Sequence, residues 1–154
     1  MSSALPLNAA RMPTTKHIEA ITGVLQEALG TPIDVNEVPQ KERNGEPVVY
    51  WWRTAAADVI RGRAAFQYVQ LQIRFFPALQ KLQIDFLCLP ESQKRQGKGR
   101  RVLDTIARIG RELGYKEIFI EAIEGSYPFW LKVDFEPVDL KRTSFPRPMV
   151  RKLD

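Results

Sequence analysis

The sequence predicts a mixed α/β domain built on one sheet. Segments 66–76 and 82–89 alternate apolar with polar residues and are joined by the short turn Pro77–Gln80, a hairpin pattern. The second strand, LQIDFLCL, runs into a basic glycine loop and an amphipathic helix, and KEIFIEAI at Lys116–Ile123 follows as another strand. A strand–helix–strand unit crosses over right-handedly and sets its strands parallel, so a hairpin feeding such a unit gives a sheet of mixed direction.

The remaining elements follow in order. Met1–Pro13 has no period and reads as a loose arm, which leaves 14–154 as one domain. Thr14 or Thr15 caps a helix over Lys16–Leu29, with Ile18, Ile21, Leu25, Ala28 and Leu29 on one face and Gly30 and Pro32 ending it. His17, near its start, reads as a surface residue. Ile33–Val38 is a short strand, Gln40–Pro47 a charged loop, and Val48–Arg53 (VVYWWR) a β-rich segment. Tyr50, Trp51 and Trp52 are core, or else the wall of a cleft. Thr54–Gly62 has room for one or two helical turns. In segment 66–76, Val69, Leu71, Ile73 and Phe75 oppose Tyr68, Gln70, Gln72 and Arg74. In 82–89, Leu82, Ile84, Phe86 and Cys88 oppose Gln83, Asp85, Leu87 and Leu89. Val102, Leu103, Ile106, Ala107, Gly110 and Leu113 form the next helix stripe, which stops at Gly114. Gly125–Val133 is a short helix broken early by Pro128. Lys141–Lys152, interrupted by Pro146 and Pro148, reads as an edge strand whose basic residues guard it against aggregation.

Composition narrows the classes. The chain has 154 residues, 44% hydrophobic and 27% charged, enough for one domain with a real core. A net charge of +5 permits an acidic partner without requiring one. The single cysteine excludes an internal disulfide and points to the cytoplasm. One histidine excludes a multi-histidine metal centre, and no metal is expected. No apolar run approaches the ~20 residues of a membrane span, and no signal peptide is apparent.

The chemistry centres on the loop PESQKRQGKGR. Gly97 and Gly99 sit among Lys94, Arg95, Lys98, Arg100 and Arg101, directly before a helix. A helix start offers unpaired N–H groups and partial positive charge, and glycine lets a ligand approach them. That suits a phosphate or pyrophosphate. The plain alternative is a solvated basic turn. A dinucleotide fingerprint fails because its third glycine would be Val102. A Walker loop fails because Ser92 and Gly99 stand where glycine and Ser/Thr are needed.

KRQGKG at Lys94–Gly99 resembles the [Q/R]-x-x-G-x-[G/A] acyl-CoA loop of the GNAT N-acetyltransferase superfamily. FWLKVDFEP at Phe129–Pro137 is similar to that family's F-Y-x-K-x-G-F-x-P ending. The resemblance covers the C-terminal half well and the N-terminal half in outline. It implies a GNAT-like mixed sheet with splayed central strands and helices on both faces. It implies transfer of an acetyl group from acetyl-CoA to an amine, the acceptor being a small molecule, a protein or an aminoacyl-tRNA; an oligomer is left open. The backbone of Leu87, Cys88 and Leu89 would hold the pantetheine arm, with Cys88 a small apolar filler. N–H groups from Arg95 through Gln96, Gly97, Lys98 and Gly99 to Arg100, with Lys94 at the loop's first position, would hold the pyrophosphate. Asp85 and Glu121 are the candidate bases or water relays, since Gln83, where some members carry a base, cannot serve. The family's usual tyrosine is Trp130 here, its asparagine Ile123, its alanine Ser126 and its glycine Asp134. Indole releases no proton, so Tyr127, one helical turn before Trp130, is the candidate acid and Ser126 a weaker one.

Two other readings compete. A catalytically degenerate relative would bind acyl-CoA or a protein or nucleic-acid partner without turnover. A nucleic-acid-binding domain would use the two basic groups, but no recognition motif accompanies them.

Overall fold

The computed structural model describes residues 9–30, 32–38, 48–54, 69–88 and 97–153. In chain order these form α1 (Thr15–Leu29), β1 (Ile33–Val38), β2 (Val48–Thr54), β3 (Val69–Phe76), β4 (Lys81–Leu87), α2 (Lys98–Leu113), β5 (Glu117–Ala122), α3 (Tyr127–Lys132), β6 (Glu136–Pro137) and β7 (Arg147–Lys152). One mixed sheet of seven strands runs β1-β2-β3-β4-β5-β7-β6. β1 to β4 are antiparallel neighbours, β4 and β5 are parallel, and β7 lies antiparallel to both β5 and β6.

Local chemistry accounts for the element ends. Thr14 is extended at φ −95°, and its backbone N–H donates to His17 Nδ1 at 3.0 Å. His17 is therefore a capping residue, and its Nε2 lies 3.4 Å from Glu112 Oε2. Gly30 and Gly114 end α1 and α2 in the left-handed region, where a side chain would be strained. Thr54 pairs with Ile33 as the last residue of β2, so it starts no helix. Most of the helical stretch expected over Thr54–Gly62 lies outside the described residues.

The hydrophobic periods meet on one face of the sheet. Trp52, Leu71, Ile73, Phe75, Leu82 and Ile118 are fully buried there with Ile21 and Leu25 of α1 and Leu103 of α2. Each such side chain contributes roughly 1.5–3 kcal/mol on leaving water. Trp52 also donates its indole N–H to Thr22 Oγ1 at 2.9 Å, so the aromatic run is mainly core, with Trp51 half-buried. α1 and α2 pack against each other. Among the described residues no helix is long and apolar enough to cross a membrane.

Three sequence expectations change. Ala10 is buried, its N–H bonds Pro77 O at 3.0 Å, and Arg11 N–H bonds Leu113 O at 2.7 Å, so the loose arm does not extend to Pro13. Pro128 does not break α3. It stands in the first turn, where no intrahelical N–H bond is lost. β7 is not an edge: it lies between β5 and β6, Pro146 precedes it, and Pro148 is its second residue.

Candidate functional site between the parted strands

The parallel ladder between β4 and β5 is short. It pairs Lys81 with Glu117, Leu82 with Ile118 and Gln83 with Phe119, and then ends. Beyond it β4 continues along β3, and β5 continues along β7 as far as Ala122–Arg147. The strands part where β4 carries a bulge. Ile73 faces Ile84 and Gln72 faces Phe86, which leaves Asp85 as the extra residue. A bulge bends its strand and raises its twist, which turns β4 away from β5.

The bulge also corrects the alternation read from the sequence. Leu82 and Ile84 are buried, but Asp85 and Phe86 are both exposed, and Leu87 packs against the core. Phe86 and Cys88 therefore do not share the face of Ile84. Cys88 is exposed, not an apolar filler. Its N–H donates to Gln70 O at 2.8 Å, so it faces β3 and cannot pair with a bound arm. Successive strand residues point their backbone groups to opposite edges, which turns those of Leu87 into the gap. Leu89 lies outside the described residues.

The helix after the loop starts at this same end of the sheet. Gly97, at φ 73°, opens α2, and the first helical bond runs from Arg101 N–H to Gly97 O at 3.1 Å. The N–H groups of Gly99 and Arg100 therefore have no intrahelical acceptor, and the first turn holds no acid. Lys94, Arg95 and Gln96 lie outside the described residues. The Arg100 guanidinium is turned toward α3: it donates to Lys132 O and lies 3.4 Å from Asp134. Arg101 lies 3.6 Å from Glu27. What this helix start offers an anion is chiefly its backbone.

Asp85 and Glu121 both stand past the point of parting, pointing away from the buried Ile84 and Ile120, but in different surroundings. The Asp85 carboxylate accepts from Arg74 Nε at 2.6 Å and from Gln72 and Gln83 Nε2 at 2.8 Å each. Glu121 is exposed on β5 opposite Pro148. Trp130 is buried against Phe135, with centroids 5.1 Å apart, and its indole donates to Ser126 Oγ at 3.1 Å. Ser126 Oγ in turn donates to Ile123 O. Trp130 and Ser126 thus satisfy each other inside α3 and its lead-in turn. Tyr127 and Trp130, expected on one helical face, have separate surroundings. Tyr127 lies beside Phe145 and Arg147, its ring centroid 4.6 Å from the Arg147 guanidinium carbon.

Two features escaped sequence reasoning. Asp134 sits at φ 73°, which explains why the related motif favours glycine there; aspartate tolerates this region better than most residues. Arg147 was read as one of a basic group, and only its aromatic neighbour Phe145 hinted at a stacked site. A separate groove of about 900 Å³ lies beside α1, lined by Glu19, Thr22, Val35, Glu37 and Tyr50, away from the gap.

A seven-stranded mixed sheet, parallel central strands that part, and a helix between them that starts at the open end make this a GNAT-type fold. Solved structures similar to it include GCN5 of Tetrahymena, at 11% identity and TM-score 0.49, over 90% of this chain and 88% of that one. A GNAT-family acetyltransferase of Staphylococcus aureus is similar at 12% identity and TM-score 0.47, over 79% of this chain and 99% of that one. A GNAT-family acetyltransferase of Elizabethkingia anophelis with acetyl-CoA bound is similar at 11% and 0.45, over 79% and 98%. The likeness is one of chain outline and carries nothing about substrate. No protein-family model and no curated protein matches the sequence.

Proposed function

We propose that the chain is an N-acetyltransferase that moves an acetyl group from acetyl-CoA to an amine. One observation carries this reading: β4 and β5 part after Gln83 and Phe119, with the backbone of Leu87 turned into the gap and the open start of α2 at the same end. An extended pantetheine arm can pair with Leu87 as an added strand, while the N–H groups of Gly99 and Arg100 in the first turn of α2 suit a pyrophosphate.

Acetyl-CoA supplies the activated acyl group. The acceptor nitrogen bonds to the thioester carbon, the carbon–sulfur bond breaks, and the sulfur leaves with the electron pair and takes up a proton. A lysine-type amine of pKa near 10.4 is only about one part in 2,500 neutral at pH 7, and freeing it costs roughly 4–5 kcal/mol. A positioned base contributes about 10²–10⁴-fold. We assign proton removal to Glu121, directly or through water, because the oxygens of Asp85 already accept three donors. Asp85 then acts by holding the bulge, and Tyr127 is the proton donor to sulfur.

The test is thermal unfolding with acetyl-CoA, CoA and ATP, followed by thiol release with an amine panel. Acetyl-CoA at about 100 times its dissociation constant should stabilise by roughly 2.7 kcal/mol, a rise of about 5–10 °C. Glu121→Gln should lower kcat and leave the melting shift intact, whereas Asp85→Asn should lower both melting temperature and the shift. No shift with acetyl-CoA or CoA would end the reading. A shift without thiol release from any amine would favour the degenerate, binding-only alternative. The burial of Trp130 and the internal use of its N–H keep that alternative in play.

A further inference from the structure

Arg147 is a half-buried arginine with no acid beside it among the described residues. It opens β7 opposite Ala122, the last residue of β5. Its guanidinium carbon lies 4.6 Å from the ring centroid of Tyr127 and 5.9 Å from that of Phe145, and the two rings meet edge to face at 5.6 Å. Its Nε is buried and donates to nothing. Among the described residues no carboxylate lies within ion-pair distance of it. Its neighbours in the same strand behave otherwise. Arg151 pairs with Asp104 at 3.0 Å, and Lys152 with Glu117 at 3.2 Å.

An uncompensated charged donor is costly to bury, so its retention calls for an acceptor that arrives from outside. Packing over the Tyr127 ring, with Phe145 beside it, holds the guanidinium in place and leaves its N–H groups to meet that acceptor. A planar fork of this kind matches a carboxylate in two parallel bonds. The position fits a substrate. Residues facing across a ladder share a face, so Arg147 lies on the face of Ala122, about 4.8 Å to one side of β5, while the gap lies on the other side. Tyr127, which bears on the guanidinium, begins α3 just after β5 ends. Exposed apolar surface surrounds the same end of the sheet: Phe86 is 41% exposed, Ile123 64% and Phe145 36%.

We infer that Arg147 binds a carboxylate of the acyl acceptor, which makes the acceptor an amino-acid-like amine with an apolar or aromatic portion. This rests on the acetyl-transfer reading and specifies its substrate class. The other anion that could reach Arg147 is a phosphate of CoA itself, and the experiment separates the two sources.

Thiol release is measured with matched acceptors, L-phenylalanine against L-phenylalaninamide and L-leucine against L-leucinamide. The acid of each pair should be preferred at least 10-fold in kcat/KM. Arg147→Gln should cost the acid about 10- to 100-fold, the usual worth of a charged hydrogen bond, and leave the amide within about twofold. Arg147→Lys, which keeps the charge and the aliphatic stem, should recover part of the loss and guards against a folding defect in the glutamine variant. Affinities for CoA and dephospho-CoA are measured alongside and should both be unchanged in Arg147→Gln. Equal use of acid and amide by the parent, or an equal loss of both in Arg147→Gln, would overturn the inference while acetyl transfer stands. A loss of affinity for CoA, whether or not dephospho-CoA shares it, would reassign Arg147 to the cofactor and overturn it as well. Thiol release from no amine at all would remove both readings together.

Discussion

Tyr115 offers a test in which the sign of the effect is the result. It follows the C-cap of α2, is 2% exposed, and meets Phe75 edge to face at 5.8 Å. Its backbone N–H bonds Gly110 O, but its hydroxyl is buried without a partner. Tyr115→Phe removes that one oxygen and changes little else. In the unfolded chain the hydroxyl is hydrated. In the folded chain it has lost water and gained nothing, which costs roughly 1–3 kcal/mol. The small void left by the oxygen takes back part of this gain. The variant should therefore be more stable by about 1 kcal/mol, a rise of about 2–4 °C in a domain of this length. A hydrogen-bonded tyrosine would respond in the opposite direction, by about 0.5–1.5 kcal/mol.

The pH dependence supplies a second sign. Burial raises the Tyr115 phenol above its ordinary value of 10.0, with the nearby Tyr50 adding to the effect. Above pH 10 the unfolded chain releases this proton while the folded chain keeps it, so the folded state binds more protons. Stability is then untouched below pH 10 and falls above it, approaching about 1.4 kcal/mol per pH unit until the raised folded value is reached. The phenylalanine variant lacks this titration, so its advantage should widen between pH 9 and pH 11. Tyr50, raised chiefly by burial and then by Glu37, is present in both proteins and largely cancels. Urea melts of both proteins at the two pH values measure the difference directly. A variant that is less stable at pH 7, with an unchanged m-value, would refute the reasoning, because the hydroxyl would then have a partner.

Three further outcomes are expected. Thr22→Val should destabilise by about 1–3 kcal/mol, since it strips the acceptor from the buried Trp52 indole; adding Trp52→Phe should cost less than the sum of the two changes, as a double-mutant cycle of urea melts would reveal. Gly97→Ala should cost about 1 kcal/mol from the positive φ alone, because its new Cβ meets nothing within 4 Å; it should also shrink the acetyl-CoA melting shift, and a loss above about 3 kcal/mol would point to a clash instead. Gly110→Ala places a Cβ 2.8 Å from Leu153 Cδ1 and 3.1 Å from Leu82 Cδ1, both in buried residues. Crowding of about 1–3 kcal/mol should outweigh the ~1 kcal/mol gain in helix propensity, and a raised melting temperature would mean that Leu153 moves aside freely.

The parts of the fold that were legible in the sequence are those governed by strict periods. Leu71, Ile73 and Phe75 alternate into the core as read, and the stripe from Val102 to Leu113 buries as read. A period detects faces, and it fails where a residue is added to the ladder. Asp85 adds one, and the assignments of the described residues past it shifted: Phe86 came out, Leu87 went in, and Cys88 became exposed. Strand order is set by long-range pairing, so β7 read as an edge although β6, only two residues long, lies outside it. Of the candidate site, the sequence made legible a glycine before a helix start, and Gly97 takes φ 73° as it opens α2. The site's side chains were less legible. Nothing in the local sequence says that Arg100 turns toward the end of α3, or that Arg147 lies over the Tyr127 ring while its Nε has no acceptor.

The bulge at Asp85 joins fold to site. Gln72 and Arg74 on β3 and Gln83 on β4 converge on its carboxylate, so the extra residue is held at the point where the β4–β5 ladder stops. An unbulged β4 would keep its twist in step with β5, and the parallel pairing could run on toward Leu87. It would also send Phe86 into the core and Leu87 outward, losing the packing of Leu87. The added residue thus does two things at once: it turns the backbone groups of Leu87 into a gap, and it exchanges Phe86 for Leu87 on the core face. Deleting Asp85 and neutralising it are then different perturbations. Asp85→Asn loosens the clasp but leaves the residue count, so the gap should survive in part. Removal of the residue puts β4 back in register and should close the gap, with acetyl-CoA binding lost even where the domain still folds.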